Sequence, residues 1–472
     1  MVRPVDLRKK LLAFVDNSSG RDTEILLPIT FVFEKYLNVE VKFKFIWDLL
    51  YIKRWQPDII LLPNIRGHNL YVEIANFSRK SGIMVLALDS EGNFNPNNAQ
   101  HYWGYNYQQK SIQEWVTCWS QKAFEYAKKF HEKEDQKKIV ITGATGFDRY
   151  IFMPKSSKSK TLTQLKATHY QMAIGYAGWA FGKLYNSQRN HSFKNFFPEN
   201  RMKGLEWLEG QRLKVRDMLK SAIEAHPDVL FVLKKHPKED FEDQPIEGLN
   251  EMNELSHYSN VRYVKNEISI EELINVSDIW TGFETTTLFE AWLYNKPTII
   301  LNNDTNFPRT EHYKGSLIAK NIEEFQAMIT KQKETKDLEQ LLEKKILGKR
   351  KKLIESAIGF QDGCNHLRAM YFFQKSIVNI KDSKKNVSLK MRHLRLYLLM
   401  KIGRFFYKKR LFIQLPGFRK SIYVFENRAL PGLEQRKEKV YTALDKFHHK
   451  KGLHHFLNEN KWESLWSVLN KN

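Results

Sequence analysis

The chain has 472 residues, with 76 Lys and Arg against 53 Asp and Glu (a formal charge of +23), and 42% of it is hydrophobic. That apolar fraction excludes a largely disordered chain, and the length suits about two domains with some extra sequence. Two distant cysteines, Cys118 and Cys364, exclude a disulfide framework and a cysteine metal site, and no window approaches the about 18 apolar residues of a spanning helix.

The first apolar run, Leu11 to Val15, is interrupted by Asp16 and is too short for a secretory signal; it reads as a strand. The segment "KLLAFVDNSSG" then turns at Asn17-Ser18-Ser19-Gly20 into "DTEILLPITFVFEKYL", whose apolar residues have helical spacing behind a capping Asp. Small residues at such a turn let backbone N–H groups approach an anion, as they also do in an ordinary strand-to-helix turn. "VEVKFKFIWD", "PDIILLPN", "IMVLALDSEG" and "KIVITGATG" follow as strands, with "VEIANFSRKSG" and "SQKAFEYAKKFHEKE" as helices among them. This alternation predicts an α/β domain over 1–153, a parallel sheet covered by helices. The polar stretch Pro154 to His169 reads as a linker.

The pattern restarts over 170–335. "YQMAIGYAGWAFG", "VLFVLKKHP", "NVRYVKN", "DIWTGFE" and "KPTIILNN" are strands; "GLEWLEGQRLKVRDMLKSAIEAHPD", "SIEELINVSD" and "TTTLFEAWLYNK" are helices. Two doubly wound, Rossmann-like domains facing across a cleft are the economical architecture, with 336–472 as a helical, basic extension. Between Ser383 and Phe425 lie twelve Lys or Arg and no Asp or Glu, interleaved with Leu, Ile, Phe and Tyr. That composition fits an element lying on an anionic membrane surface, or a basic helix packing its apolar side on the protein. The chain shows no nucleic-acid signature such as zinc-finger spacing or an aromatic RNP pattern, so nucleic acid is not an expected partner.

In open parallel sheets, ligands collect beyond the carboxyl ends of the strands, and four strand ends here carry chemistry. The Ser18-Ser19-Gly20 turn is one. "LDSEGNF" brings Asp89 and Glu91 to a second, with Gly92 permitting a tight turn; a carboxylate there can deprotonate a hydroxyl, or merely solvate the turn. At the third, "VLFVLKKHPKED" stops on Lys234-Lys235-His236-Pro237, two lysines that attract phosphate beside a histidine that can donate to it. A second His-Pro, His226-Pro227, precedes its strand and should face the opposite edge. At the fourth, "TGFETTTLFEAW" sets Glu284 and Thr285-Thr286-Thr287 at a helix start, a phosphate cradle or a threonine cap. "HHKKGLHH", His448 to His455, is a poor metal site because lysines flank it and no carboxylate cluster accompanies it, so neither a metal nor a cofactor is expected.

These motifs in this order resemble the GT-B glycosyltransferases of bacterial surface-carbohydrate (capsule and lipopolysaccharide) biosynthesis, among them capsular Kdo transferases, sialyl- and polysialyltransferases and CDP-glycerol glycerophosphotransferases. The likeness runs from about Leu11 to Asn303, through "LDSEG", "KIVITGATGFDRY", "LKKHP" and "DIWTGFETTTLFEAWLYNKPTIIL". It implies an inverting, metal-independent transferase using a CMP-activated, Kdo- or sialic-acid-like donor and a glycan or lipid-linked glycan acceptor. Glu91 inherits the role of general base. Ser90 stands where the family's first acidic residue is expected, with Asp89 beside it. His236 and Pro237 inherit the donor phosphate, and Thr285 to Thr287 the phosphate-holding Ser/Thr motif. The implied location is cytoplasmic, peripheral on the inner face of the bacterial inner membrane. Polyol-phosphate transfer from a CDP donor, and a non-catalytic polysaccharide-assembly protein, are the alternatives.

Overall fold

The computed structural model describes residues 8–16, 20–65, 69–92, 110–177, 201–235, 254–264, 267–283, 285–301, 314–335, 344–380, 385, 387–388, 391–411 and 430–470. The chain divides into two compact units, Met1–Met153 with Glu355–Asn472, and Pro154–Ile354.

The first unit is built on a four-stranded parallel sheet of β1 (Lys10–Val15), β2 (Glu40–Phe45), β3 (Ile59–Leu62) and β4 (Met84–Ala87), in the order β2-β1-β3-β4. β1 and β3 read as continuous apolar runs because both their faces are covered. A further parallel pair, β5 (Val116–Cys118) and β6 (Ile139–Ile141), lies beside β4, where the Glu114 N–H donates to the Val85 carbonyl at 2.9 Å. The tripeptide β5 is too short to show alternation in the sequence; its partners define it. The helices Arg21–Tyr36 and Asn69–Lys80 connect these strands as expected.

The second unit carries a six-stranded parallel sheet of β7 (Met172–Ala177), β8 (Val229–Lys234), β9 (Val261–Val264), β10 (Ile279–Gly282), β11 (Thr298–Leu301) and β12 (Leu317–Ala319). Its order, β12-β11-β10-β7-β8-β9, is that of a dinucleotide-binding Rossmann sheet, with the winding reversing between β7 and β10. The expectation of two Rossmann-like α/β domains is met.

Two boundaries differ from the sequence reading. The stretch read as a linker holds the helix Lys158–Gln164 and belongs to the second unit, where the Lys158 ammonium bonds both oxygens of Asp278 at 2.7 Å. The residues after 354 are not an appendage. Leu367, Met370, Phe373, Leu444, Phe447, Leu465 and Leu469 lie in one hydrophobic core with β1 and β3, so the chain returns to complete the first unit.

Polar contacts fix that return. The Asp148 carboxylate, fully buried, accepts from the Asn365 N–H at 3.1 Å, the His366 N–H at 2.8 Å and the His366 Nδ1 at 2.8 Å. It thereby caps the helix Asn365–Ile377, whose own N-cap residue, Cys364, supplies no side-chain bond. His366 Nε2 lies 3.0 Å from His448 Nε2, and His448 Nδ1 lies 3.3 Å from the Tyr36 hydroxyl. With Nδ1–H of His366 on the carboxylate, its Nε2 faces His448 Nε2–H, and His448 accepts from Tyr36 at Nδ1. Burial, with His366 next in effect, holds His448 well below the ordinary histidine range, consistent with a neutral ring. Burial, then the Asp445 carboxylate, raises the Tyr36 phenol and keeps it a donor.

Asp148→Ala leaves two backbone N–H groups and a buried imidazole without their acceptor, and should cost about 3 kcal/mol or more, read as a lower denaturant midpoint. The His448 pKa is depressed in the fold, so its contribution is complete above the unfolded value of about 6.5 and is lost as pH falls below it. Urea unfolding between pH 7 and 5 should show stability falling with acid, by up to about 1.4 kcal/mol per pH unit from this ring. His448→Gln should flatten that slope; an unchanged slope rejects the assignment.

Candidate functional site

The carboxyl edge of the first sheet gathers an acidic group and its partners. β4 runs through Leu88 to Asp89, Ser90, Glu91 and Gly92; Leu88 and Ser90 are buried, while the Glu91 side chain keeps about a quarter of its surface exposed. The Trp119 indole N–H donates to the Asp89 carbonyl at 2.7 Å, and a Cβ at Gly92 would collide with the same ring. Trp119 thus dictates the glycine and the path of the loop. Glu91 forms an ion pair with Arg21 in the first turn of the helix after β1. Since β3 lies between β1 and β4 in the sheet, this pair spans the carboxyl end of β3, next to the point where the winding of this sheet reverses. The next residue, Asp22, accepts from the Tyr71 hydroxyl at 3.2 Å. Burial, then Asp22 and Asp16, drive the Tyr71 phenol well above its ordinary range.

Glu91 therefore lies beyond the carboxyl end of β4 with the Arg21 guanidinium beside it. Sequence reasoning missed Arg21, Trp119 and Tyr71; only the first had a signal, a cation directly after the small-residue turn. Gly20, at φ 104°, precedes the helix Arg21–Tyr36 and its carbonyl accepts from the Glu24 N–H at 3.0 Å. Ser18 and Ser19 lie outside the described residues.

In the second unit the strand register sets Lys234 beside Ala177 and Ala177 beside Gly282, one row across β8, β7 and β10 at the carboxyl edge. The row straddles the reversal of winding between β7 and β10. Lys234 Nζ donates to the Lys235 carbonyl at 3.1 Å, and the Lys235 N–H continues the ladder to Val264 at 2.9 Å. His236, Pro237 and Glu284 lie outside the described residues.

The three threonines divide their tasks. Thr285 Oγ1 accepts from the Thr287 N–H at 3.2 Å, a local threonine cap. Thr287 Oγ1 accepts from the Trp280 indole at 2.9 Å and lies 3.0 Å from Thr285 Oγ1. Thr286 is exposed and makes no cap bond. A Cβ at Gly282 would strike the Thr285 methyl, so glycine there lets the loop fold over the strand end. The earlier His-Pro behaves as position foretold. His226 precedes β8 and is buried, and its carbonyl accepts from the Asn260 amide at 3.1 Å, a structural role at the opposite edge. Burial, then Lys333, lowers its pKa.

The C-terminal histidines separate as well. His448 belongs to the buried chain described above, and His455 pairs with Glu459 at 2.8 Å. Asp445, His449 and His454 each offer a ligand atom within 4.8 Å of the others, so a carboxylate does accompany these imidazoles. The Lys35 ammonium pairs with that carboxylate, and His454 Nδ1 lies 2.9 Å from the Tyr36 hydroxyl. A lysine thus supplies the positive charge that a metal would bring.

No family model and no curated protein matches the chain. Among solved structures, it is similar to a Listeria monocytogenes protein described as a UDP-N-acetylglucosamine 2-epimerase, at TM-score 0.50 and 14% identity over 81% of this chain and all of that one. It is similar to the same extent to S. aureus MnaA in its structure with UDP, at TM-score 0.50 and 13% identity over 81% of this chain and 100% of that one. The likeness is one of fold: this chain has the GT-B-like architecture of two Rossmann-like domains.

Proposed function

We propose that the protein is a glycosyltransferase acting on a nucleotide-activated sugar, with the donor phosphates on the second unit and the acceptor base on the first. The observation that carries this reading is the row Lys234–Ala177–Gly282 across the reversal of winding. Neighbouring strands are about 4.8 Å apart, so Lys234 and the threonine loop stand about 10 Å apart, within reach of the same donor phosphate through the lysine's length. In a sheet of this order that crevice is where nucleotides collect. The lysine charge and the Thr286 hydroxyl suit phosphate oxygens, and His236 follows two residues on in the sequence.

On this reading Glu91 takes the proton of an acceptor hydroxyl as it attacks the anomeric carbon. The bond to the nucleotide phosphate breaks on the opposite face, and the lysines receive the departing charge. Arg21 positions the carboxylate. The resemblance of "LDSEG" and "LKKHP" to surface-carbohydrate transferases favours a CMP donor with a Kdo- or sialic-acid-like sugar; the fold likeness to a protein solved with UDP makes UDP the runner-up. A CDP-linked polyol donor would use the same phosphate groups, with attack at phosphorus.

Thermal unfolding with CMP, CDP, UDP and GDP tests the donor. A nucleotide at about 100 times its Kd should stabilise the protein by about 2.7 kcal/mol. Lys234→Met should weaken that nucleotide by about 1.5–3 kcal/mol, the value of a hydrogen bond to a charged group. No shift with any of the four would discard the nucleotide-sugar reading. Glu91→Gln should lower the turnover number by about 10²–10⁴-fold while leaving the nucleotide shift intact. Transfer at the native rate in that variant would remove Glu91 from the mechanism.

A further inference from the structure

The helix Met391–Lys408 is amphipathic in an unusual sense, since both of its faces are apolar and only one is covered. On the inner face, His393 is buried, its Nε2 lies 2.5 Å from Glu73 Oε1, and its ring meets the edge of Phe77 at 5.4 Å. Leu396 and Met400 pack from the same side against the core of the first unit. On the outer face, Leu398 is 47% exposed, Leu399 57%, Ile402 51% and Phe405 56%, with Leu394 beside them.

At about 100° per residue, Leu394, Leu398, Ile402 and Phe405 fall within an arc of about 80°, opposite the arc of His393, Leu396 and Met400. Arg395 flanks the outer stripe on one side and Lys401 and Lys408 on the other, while Arg392, next to Arg395 around the helix, pairs with Glu73. From Met391 to Leu411 the chain contains no Asp or Glu. A stripe of large apolar side chains facing solvent is costly on a soluble surface and marks an interaction site.

We propose that this helix lies in the plane of an anionic phospholipid surface, with Leu394, Leu398, Ile402 and Phe405 in the acyl boundary and the flanking Arg and Lys on lipid phosphates. Charge complementarity selects the occupant. Cations on both flanks of an apolar stripe match a plane with phosphates on either side of a hydrocarbon interior, the geometry of an interfacial helix. A nucleic acid would satisfy the cations and leave the stripe in water. A second copy of this chain would satisfy the stripe and set cations against cations. Among the described residues no helix is long and apolar enough to cross a membrane, so the contact is in-plane. The expectation of a basic membrane element over 383–425 is thereby narrowed to 391–408; residues 412–425 lie outside the described residues.

Because residues 430–470 form part of the core of the first unit, deletion of the C-terminus is the wrong test. Point substitutions on the outer face touch no core contact. The full chain is sedimented with vesicles of 3:1 phosphatidylcholine to phosphatidylglycerol and with phosphatidylcholine alone. The native protein should sediment with the anionic vesicles and much less with the neutral ones. The triple variant Leu398→Ser, Ile402→Ser, Phe405→Ser should bind them at least about tenfold more weakly with unchanged thermal stability. Arg395→Gln with Lys401→Gln should weaken binding chiefly at low salt. Equal binding by native and triple-variant proteins, or none by the native protein, overturns the proposal. So does a concentration-dependent dimer that the triple variant abolishes, which would assign the stripe to a second copy.

Discussion

The carboxylate of Asp148 is the point on which the first unit closes. It is buried where a lone charge would be very costly, and the cost is met by two backbone N–H groups and an imidazole that belong to residues 217 and 218 positions later. One side chain therefore caps the helix Asn365–Ile377 and begins the chain of polar groups through His366, His448 and Tyr36. Glu24, also buried, repeats the device on the facing helix, where Arg436 grips both of its oxygens. Burial without a partner would expel either carboxylate. Burial with these partners makes the return of the chain specific in register as well as in place.

That closure bears on the candidate site. Glu24 sits one turn beyond Arg21 on the same helix, so Arg436 and Lys437, the latter 2.8 Å from Glu34, fix the rotation and the height of the helix that carries the partner of Glu91. The opposite end of the Glu91–Arg21 pair is set by Trp119, against which Gly92 is pressed. The Glu91 carboxylate is thus held from two directions, through the Arg21 helix and through the Trp119 ring.

The strands and their charged ends were legible in the sequence because a buried parallel strand is a continuous apolar run, and a strand end with charges is an abrupt break in it. "VLFVLKK" and "LDSEG" announce themselves in this way. The closure was not legible. Asp148 and His366 look like ordinary polar residues in their own segments, and nothing within a few positions of either marks the other. For the same reason the helices Asn365–Ile377 and Leu430–Lys450 read as part of an extension when they belong to the core of the first unit. The threonine triplet shows a finer limit: its composition suits a phosphate, but Trp280 and the Thr287 N–H claim two of the three hydroxyls, and only tertiary structure reveals that.

The helix Met391–Lys408 shows why composition and placement have to be read together. Its charge alone fits a solvated helix, a nucleic-acid contact or a membrane surface equally well. Burial of His393, Leu396 and Met400 uses up one apolar face, and only then do Leu398, Ile402 and Phe405 become a surplus that packing does not explain. A helix anchored by a buried histidine to Glu73 also cannot roll to hide that surplus, because rolling would expose His393 and break the Glu73 contact. The rigidity of the inner face is what gives the outer face its meaning.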